Sequence, residues 1–141
     1  MSNWVLVKKE IIEETLRAES KQGKGLVEPL KSLAAEKNLP FKILEDKEVV
    51  NEAEVHRHEG DLWQCLEGEV TFICGGELVE PKAKQNPDGT LDEREWKGKA
   101  IQDGTEMVLR PGDWLWIPPG VAHQHNCKGI ARMFIIKIPK V

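Results

Sequence analysis

The sequence predicts an all-β chain, a sandwich or jelly-roll barrel, with a short helical segment at its N-terminus. Three observations predict it. From Phe41 onward the apolar residues recur with period two in short runs: Phe41-Lys-Ile43-Leu-Glu45, Val70-Thr-Phe72-Ile73, Glu106-Met-Val-Leu109 and Arg132-Met-Phe-Ile-Ile-Lys-Ile138. Successive side chains of an extended strand fall on opposite faces, so this is the pattern of strands that bury one face. Between the runs, Gly60-Asp61, Glu67-Gly68, Gly75-Gly76, Pro87-Asp-Gly89, Arg110-Pro-Gly112 and Pro118-Pro-Gly120 place turn chemistry at nearly regular intervals. Finally, His56 and His58 stand one residue apart, which puts two imidazoles on one face of a strand. On a helix, facing ligands would be three or four residues apart.

Taken in order, Glu10 to Lys21 mixes Ile11, Ile12, Leu16 and Ala18 with charges and ends before Gly23-Lys-Gly25, which predicts a helix. Pro29 suits a first helical turn, and Leu30, Leu33 and Ala34 give an apolar stripe that Lys37-Asn38-Leu-Pro40 stops. Residues 1–40 are therefore expected to form an extension that packs on one end of the barrel, and residues 41–141 a single domain. Val79 to Gly104 is a long, polar and charged connection with a reverse turn at Asn86-Pro-Asp-Gly89, expected as an extended loop or hairpin. Long connections in compact domains are often functional, so this one is expected to be either a rim or lid over the barrel mouth or a plain insertion.

Composition narrows the function classes. With 141 residues, 40% hydrophobic and 31% charged, the chain supports one domain with a real core. The formal charge of −4 and pI near 5.6 leave no basic footprint, and the first forty residues hold no basic recognition helix, so nucleic acid is not an expected partner. A small organic ligand is. The N-terminal stretch has no long apolar core and no run approaches membrane-spanning length, so neither a signal peptide nor a membrane partner is expected and the reading is cytoplasmic. Cys65, Cys74 and Cys127 are an odd set without Cys-x-x-Cys spacing, expected as reduced thiols.

The residues with the most chemistry are His56, His58 and Asp61, answered some sixty residues later by His123. Three imidazoles and one carboxylate held on a rigid sheet are good ligands for a divalent transition metal. Iron, manganese, nickel or zinc all suit the set. Asp61 is expected as a fourth ligand or as an acceptor for a histidine N–H, with Glu59 as its substitute. Glu59 or His125 is the expected proton carrier, with a place behind the ligands or at the surface as the alternative for His125. If Asp61 points inward, then Trp63 and Cys65 do so as well, and together with Trp116 they are expected to wall a substrate pocket. Trp114 and Trp116 share one face of their strand while Leu115 and Ile117 share the other; filling core or covering a dimer face is the alternative role for these tryptophans.

These residues resemble the two sequence motifs of the cupin superfamily. In the first, two histidines one residue apart are followed by a carboxylate that stands seven residues before a glycine, as Asp61 stands before Gly68. The gap from His58 to Asp61 is shorter than the family's pattern. In the second, Gly112, Pro118, Gly120 and His123 occupy every position of the glycine, proline, glycine and histidine series. The family's closing asparagine would fall at Cys127, with Asn126 one residue early. The resemblance covers residues 50–135. It implies a double-stranded β-helix, or jelly-roll barrel, in one cupin domain, with a homodimer as the usual assembly. For function it implies a metal-binding cupin acting on a small organic molecule as a dioxygenase, isomerase or lyase, the dioxygenase-like oxidoreductase being slightly favoured. The alternative is a non-catalytic module that binds or senses a small molecule.

Overall fold

The structure is a computed structural model and describes residues 4–141. It opens with helix α1 (Lys9–Arg17), strand β1 (Gly23–Leu26) and helix α2 (Leu30–Lys37). In α1, Glu10 in the first turn and Arg17 in the last complement the helix dipole. Helix α2 ends where Asn38 takes a left-handed conformation (φ 53°) and returns its N–H to the Ala34 carbonyl. Both helices agree with the sequence expectation to within a few residues. Gly23-Lys-Gly25 does not merely end a helix: it extends into β1, which pairs with the strand that follows α2.

That strand is β2 (Phe41–Val50), followed by β3 (Ala53–His56), β4 (Glu59–Glu67), β5 (Val70–Cys74), β6 (Glu77–Val79), β7 (Lys82–Gln85), β8 (Leu91–Gly98), β9 (Ala100–Gln102), β10 (Thr105–Leu109), β11 (Trp114–Ile117) and β12 (His123–Pro139). Every pairing is antiparallel. The fold is an all-β jelly roll. Its seam is β12, 17 residues long. One edge of β12 pairs with β2; along the other, its first residues pair with β5 and its last with β4. A bulge between Cys127 and Ile130 separates these two halves.

Alternation along β4 and β12 turns Trp63, Cys65, Met133 and Ile135 inward, where they meet Leu44, Val70, Phe72, Leu109 and Ile117 in the barrel core. A second cluster lies on the outer face. Ile43, Phe41 and Phe134 pack there against Ile11, Leu16, Val27 and Leu30 of the N-terminal segment. Arg132 clasps the two parts together: its Nε donates to Glu45 Oε2 at 2.7 Å, and its terminal nitrogens donate to the carbonyls of Thr15, Leu16 and Ala18 at 2.6 to 3.1 Å. Those carbonyls close the C-terminal end of α1, where a cation is favoured.

The 79–104 connection is ordered into strands. β7 and β8 form a hairpin across Asn86-Pro-Asp-Gly89, closed by Gly89 N–H to Asn86 O at 2.9 Å. β8 then pairs with β3, which adds the hairpin to the main sheet beside His56. Among the described residues no helix is long and apolar enough to cross a membrane.

Candidate metal centre

Four strands bring the polar cluster together. Glu54 and His56 share one face of β3 because they are two residues apart, and His123 at the start of β12 is the cross-strand partner of Glu54. Asp61 enters from β4, and Glu95 from β8, opposite His56. Glu54, His56 and His123 each present one ligand atom, all within 4.8 Å of one another. His56 Nε2 lies 3.3 Å from Glu54 Oε2 and 3.7 Å from Asp61 Oδ2, and His123 Nε2 lies 3.3 Å from that same Asp61 oxygen. Two imidazole nitrogens and two carboxylate oxygens thus converge on one point.

The hydrogen bonds around the cluster leave these atoms available. His123 Nδ1 is 3.1 Å from the Val121 carbonyl, which can only accept, so Nδ1 carries the proton and Nε2 keeps its lone pair in the neutral ring. His56 Nδ1 is held by Glu95 Oε2, which orients that ring in the same way. His56 Nε2 and Asp61 Oδ2 are both buried and have no hydrogen-bond partner. Folded proteins rarely leave such atoms unsatisfied, and a cation satisfies a lone pair and a carboxylate that face each other. The donor set fits a divalent transition metal.

Charge reinforces the arrangement. Burial works against ionisation of Glu54, but the His56 ring beside it and the Lys24 ammonium, 3.7 Å away, hold the carboxyl well below the usual carboxylate range. Burial likewise opposes charge on Asp61, and His123 and Lys137 overcome it, so this carboxyl also stays low. Lys137 Nζ donates to Asp61 Oδ1 at 2.7 Å, leaving Oδ2 as the free oxygen. For His56, burial disfavours the imidazolium, yet Glu54, Asp61 and Glu95 raise its pKa above the ordinary histidine value.

His56, Asp61 and His123 fall in this cluster. His58 does not: β3 ends at His56, the chain bends through Arg57 and His58, and the period-two phase is lost. Its Nε2 faces Glu59 Oε1 at 3.1 Å and Glu95 Oε1 at 3.4 Å. Glu59 sits at the rim, between His58 and Lys137. His125 is buried in the core, its Nδ1 on Asp46 Oδ2 at 2.5 Å and its ring against Trp63 and Phe72.

Trp63 points inward as expected, with its indole N–H buried and unpartnered. Cys65 is also inward, but four residues along β4 from Asp61, on the order of 13 Å. Its thiol donates to the Gly68 carbonyl at 3.3 Å, and burial pushes its pKa up to about 11, with Asp113 and Cys127 adding to the effect. Trp116 lies outside the barrel, half exposed, with its ring over Gly60. Leu115 and Ile117 take the inner face of β11, so Trp116 cannot.

Sequence reasoning missed Glu54 and Glu95. Glu54 was within reach of it, since Glu54-x-His56 has the same spacing as His56-x-His58. Glu95 carries no local signal, because only the pairing of β3 with β8 brings it to His56.

Solved structures share this fold. E. coli ycfD aligns with a TM-score of 0.57 at 19% identity, over 89% of this chain and 36% of that one. An oxalate oxidase aligns at 0.50 and 18% identity, over 85% and 53% of the two chains. The Drosophila melanogaster CENP-C cupin domain aligns at 0.48 and 12%, over 70% and 59%. At these identities the likeness is one of fold, and this chain spans less than two thirds of each of these structures. No curated protein matches the sequence. The JmjC domain family model matches residues 66–138, which hold the second motif with His123 and just over half of the sequence, and the chain therefore belongs to the JmjC domain family of cupin-fold proteins.

Proposed function

We propose that this protein is a metal-binding cupin enzyme acting on a small organic molecule, with His56, Asp61, His123 and Glu54 as the metal-holding residues. The observation that carries the reading is the pair of buried, unpartnered atoms His56 Nε2 and Asp61 Oδ2, facing each other beside His123 Nε2. Iron, manganese, nickel and zinc fit the donor set, and such an ion supplies Lewis-acid or redox chemistry when bound. Dioxygenase-like oxidation is the favoured activity, ahead of isomerisation or elimination.

The chain's own residues do the rest. Glu95 fixes the His56 ring, and Lys137 holds Asp61 in place and balances one of the two carboxylates. Glu59, at the rim and in contact with both His58 and Lys137, is placed to carry a proton between solvent and a bound molecule. His125, committed to Asp46 inside the core, is better placed to hold β2 against β12 than to carry protons. Three free cysteines support a reducing, cytoplasmic setting. The exposed faces of Trp114 and Trp116 support a second copy of the chain as partner.

The test is the metal content of protein reconstituted with manganese or iron, for wild type and His123→Ala, together with dioxygen uptake in the presence of candidate organic acids. Near-stoichiometric metal in wild type, lost in the variant, is the expected result. Equal metal content in both sinks the assignment. The alternative, a binding module, predicts ligand affinity that survives chelation of the metal.

A further inference from the structure

Strand β1 reaches the metal centre from the N-terminal extension. Its residue Lys24 stands opposite Asp46 of β2, and directly opposed residues share a face of the sheet. Asp46 is buried against His125, and Leu26, two residues along β1 from Lys24, packs on the barrel core. Lys24 therefore points to the side of the sheet that carries the cluster, where its Nζ lies 3.7 Å from Glu54 Oε1.

The two carboxylates that face the histidines are built alike. Glu54 turns Oε2 to His56, at 3.3 Å, and Oε1 to Lys24. Asp61 turns Oδ2 to His56 and His123, and Oδ1 to Lys137 at 2.7 Å. Each gives one oxygen to the centre and the other to an ammonium from a different strand. Glu95 and Glu59 complete the charged ring, the first against His56 and His58, the second against His58 and Lys137. With the histidines neutral, these four carboxylates and two ammoniums leave two negative charges, which a divalent ion cancels and a trivalent ion overshoots.

We propose that Lys24 and Lys137 set the charge of the centre so that it holds a redox metal in its divalent state. Lys24 isolates the effect of charge, because Lys137 also fixes the position of Asp61 through a short hydrogen bond, whereas Lys24 stands at the distance of a loose ion pair. Removing the Lys24 charge leaves three negative charges around the ion, the number that a trivalent ion cancels. The Lys24 side chain is 37% exposed, so solvent and salt screen its effect without abolishing it. The N-terminal extension is thereby part of the site as well as a cover for the outer face of the barrel. This inference rests on the metal-centre reading and adds to it the oxidation state that the centre favours.

The test is a mediated redox titration of the iron-loaded full chain at low ionic strength, in which iron(III) takes one electron from dithionite to become iron(II) and the ferric form is followed by its paramagnetic resonance signal. The variants are Lys24→Met, Lys24→Arg, which restores the charge, and Lys31→Met on α2, which matches the loss of charge away from β1. In Lys24→Met the equilibrium is expected to move about tenfold towards iron(III), a fall of about 59 mV in the midpoint potential of a one-electron couple. Lys24→Arg and Lys31→Met are expected to keep the wild-type potential, and the Lys24→Met shift to shrink at high salt. A wild-type midpoint in Lys24→Met, or an equal fall in Lys31→Met, overturns the proposal and leaves the metal-centre reading standing. No iron uptake by the wild type removes that reading, and this inference with it.

Discussion

The two ring nitrogens of His56 have separate tasks, and both can be tested. Nδ1 is tied to Glu95, so Glu95→Gln removes a charged partner without changing the ring, and metal affinity is expected to fall by about 10- to 100-fold. An unchanged dissociation constant in a metal titration would show that Glu95 does not position the ligand. Nε2 must lose any proton before it binds a metal, and its surroundings hold the His56 pKa above the ordinary histidine value of 6.5. Metal affinity should therefore rise with pH, by about tenfold per unit below the folded-state pKa of His56, with proton release measurable in buffers of different ionisation enthalpy. An affinity that does not vary between pH 6 and 8 would contradict this.

In the metal-free protein the sign differs between partners. Asp61 and Glu54 have lowered pKa values, so their contribution to stability is present above their ordinary values of 3.8 and 4.5 and is lost as pH falls below them. His56, raised, contributes below 6.5 and loses that contribution as pH rises through its folded value. At this scale strand spacing and motif position pointed to His56, Asp61 and His123, which the fold brings into one cluster, and to His58, which lies just beyond it where β3 stops at His56. Nothing local in the sequence pointed to Glu95, which only long-range pairing brings in.

Among the elements, the β12 bulge and the turn before β5 are interlocked. Gly68 has φ +73°, and a Cβ there would stand 2.0 Å from the Ile130 carbonyl oxygen in the bulge. Neither backbone can yield cheaply, so Gly68→Ala is expected to cost at least about 2 kcal/mol. Urea denaturation checks this, and a midpoint equal to wild type would mean that the turn and the bulge are not in contact. The Arg132 clasp predicts a second cost. Arg132→Ala leaves Glu45 buried without its cation, holding only the Lys21 N–H, and takes the side-chain donor from the Leu16 and Ala18 carbonyls, at about 3–5 kcal/mol. A variant as stable as wild type would show that the N-terminal helices are held by their apolar face alone. The helices and most strands were legible in advance because period and punctuation are properties of neighbours. The strand character of Gly23–Leu26 was not, nor was the pairing that joins the expected 79–104 hairpin to β3, because polar residues enter a strand only when a partner supplies the ladder.

For the molecule as a whole, a site assembled from β3, β4, β8 and β12 links metal binding to folding. Metal bound only by the native state stabilises it in proportion to the logarithm of concentration over the dissociation constant, about 2.7 kcal/mol at a hundredfold excess. Chelator-treated protein should melt lower than metal-loaded protein, and the His123→Ala variant should show no such difference. The proposed second copy predicts a dimer in sedimentation, reduced to a monomer by Trp114→Ser/Trp116→Ser; a monomeric wild type would remove it. The all-β architecture was readable from the period-two runs and the turn punctuation between them. Its substrate was not, because ligand chemistry depends on which distant side chains meet, as Lys24 of β1 meets Glu54 of β3.

The most direct measurement is anomalous diffraction at the manganese edge from crystals of the manganese-loaded protein. One peak in contact with His56 Nε2, His123 Nε2 and Asp61 Oδ2 is the predicted result. A peak bound by His58 in place of these atoms, or no peak at the cluster, would contradict the account.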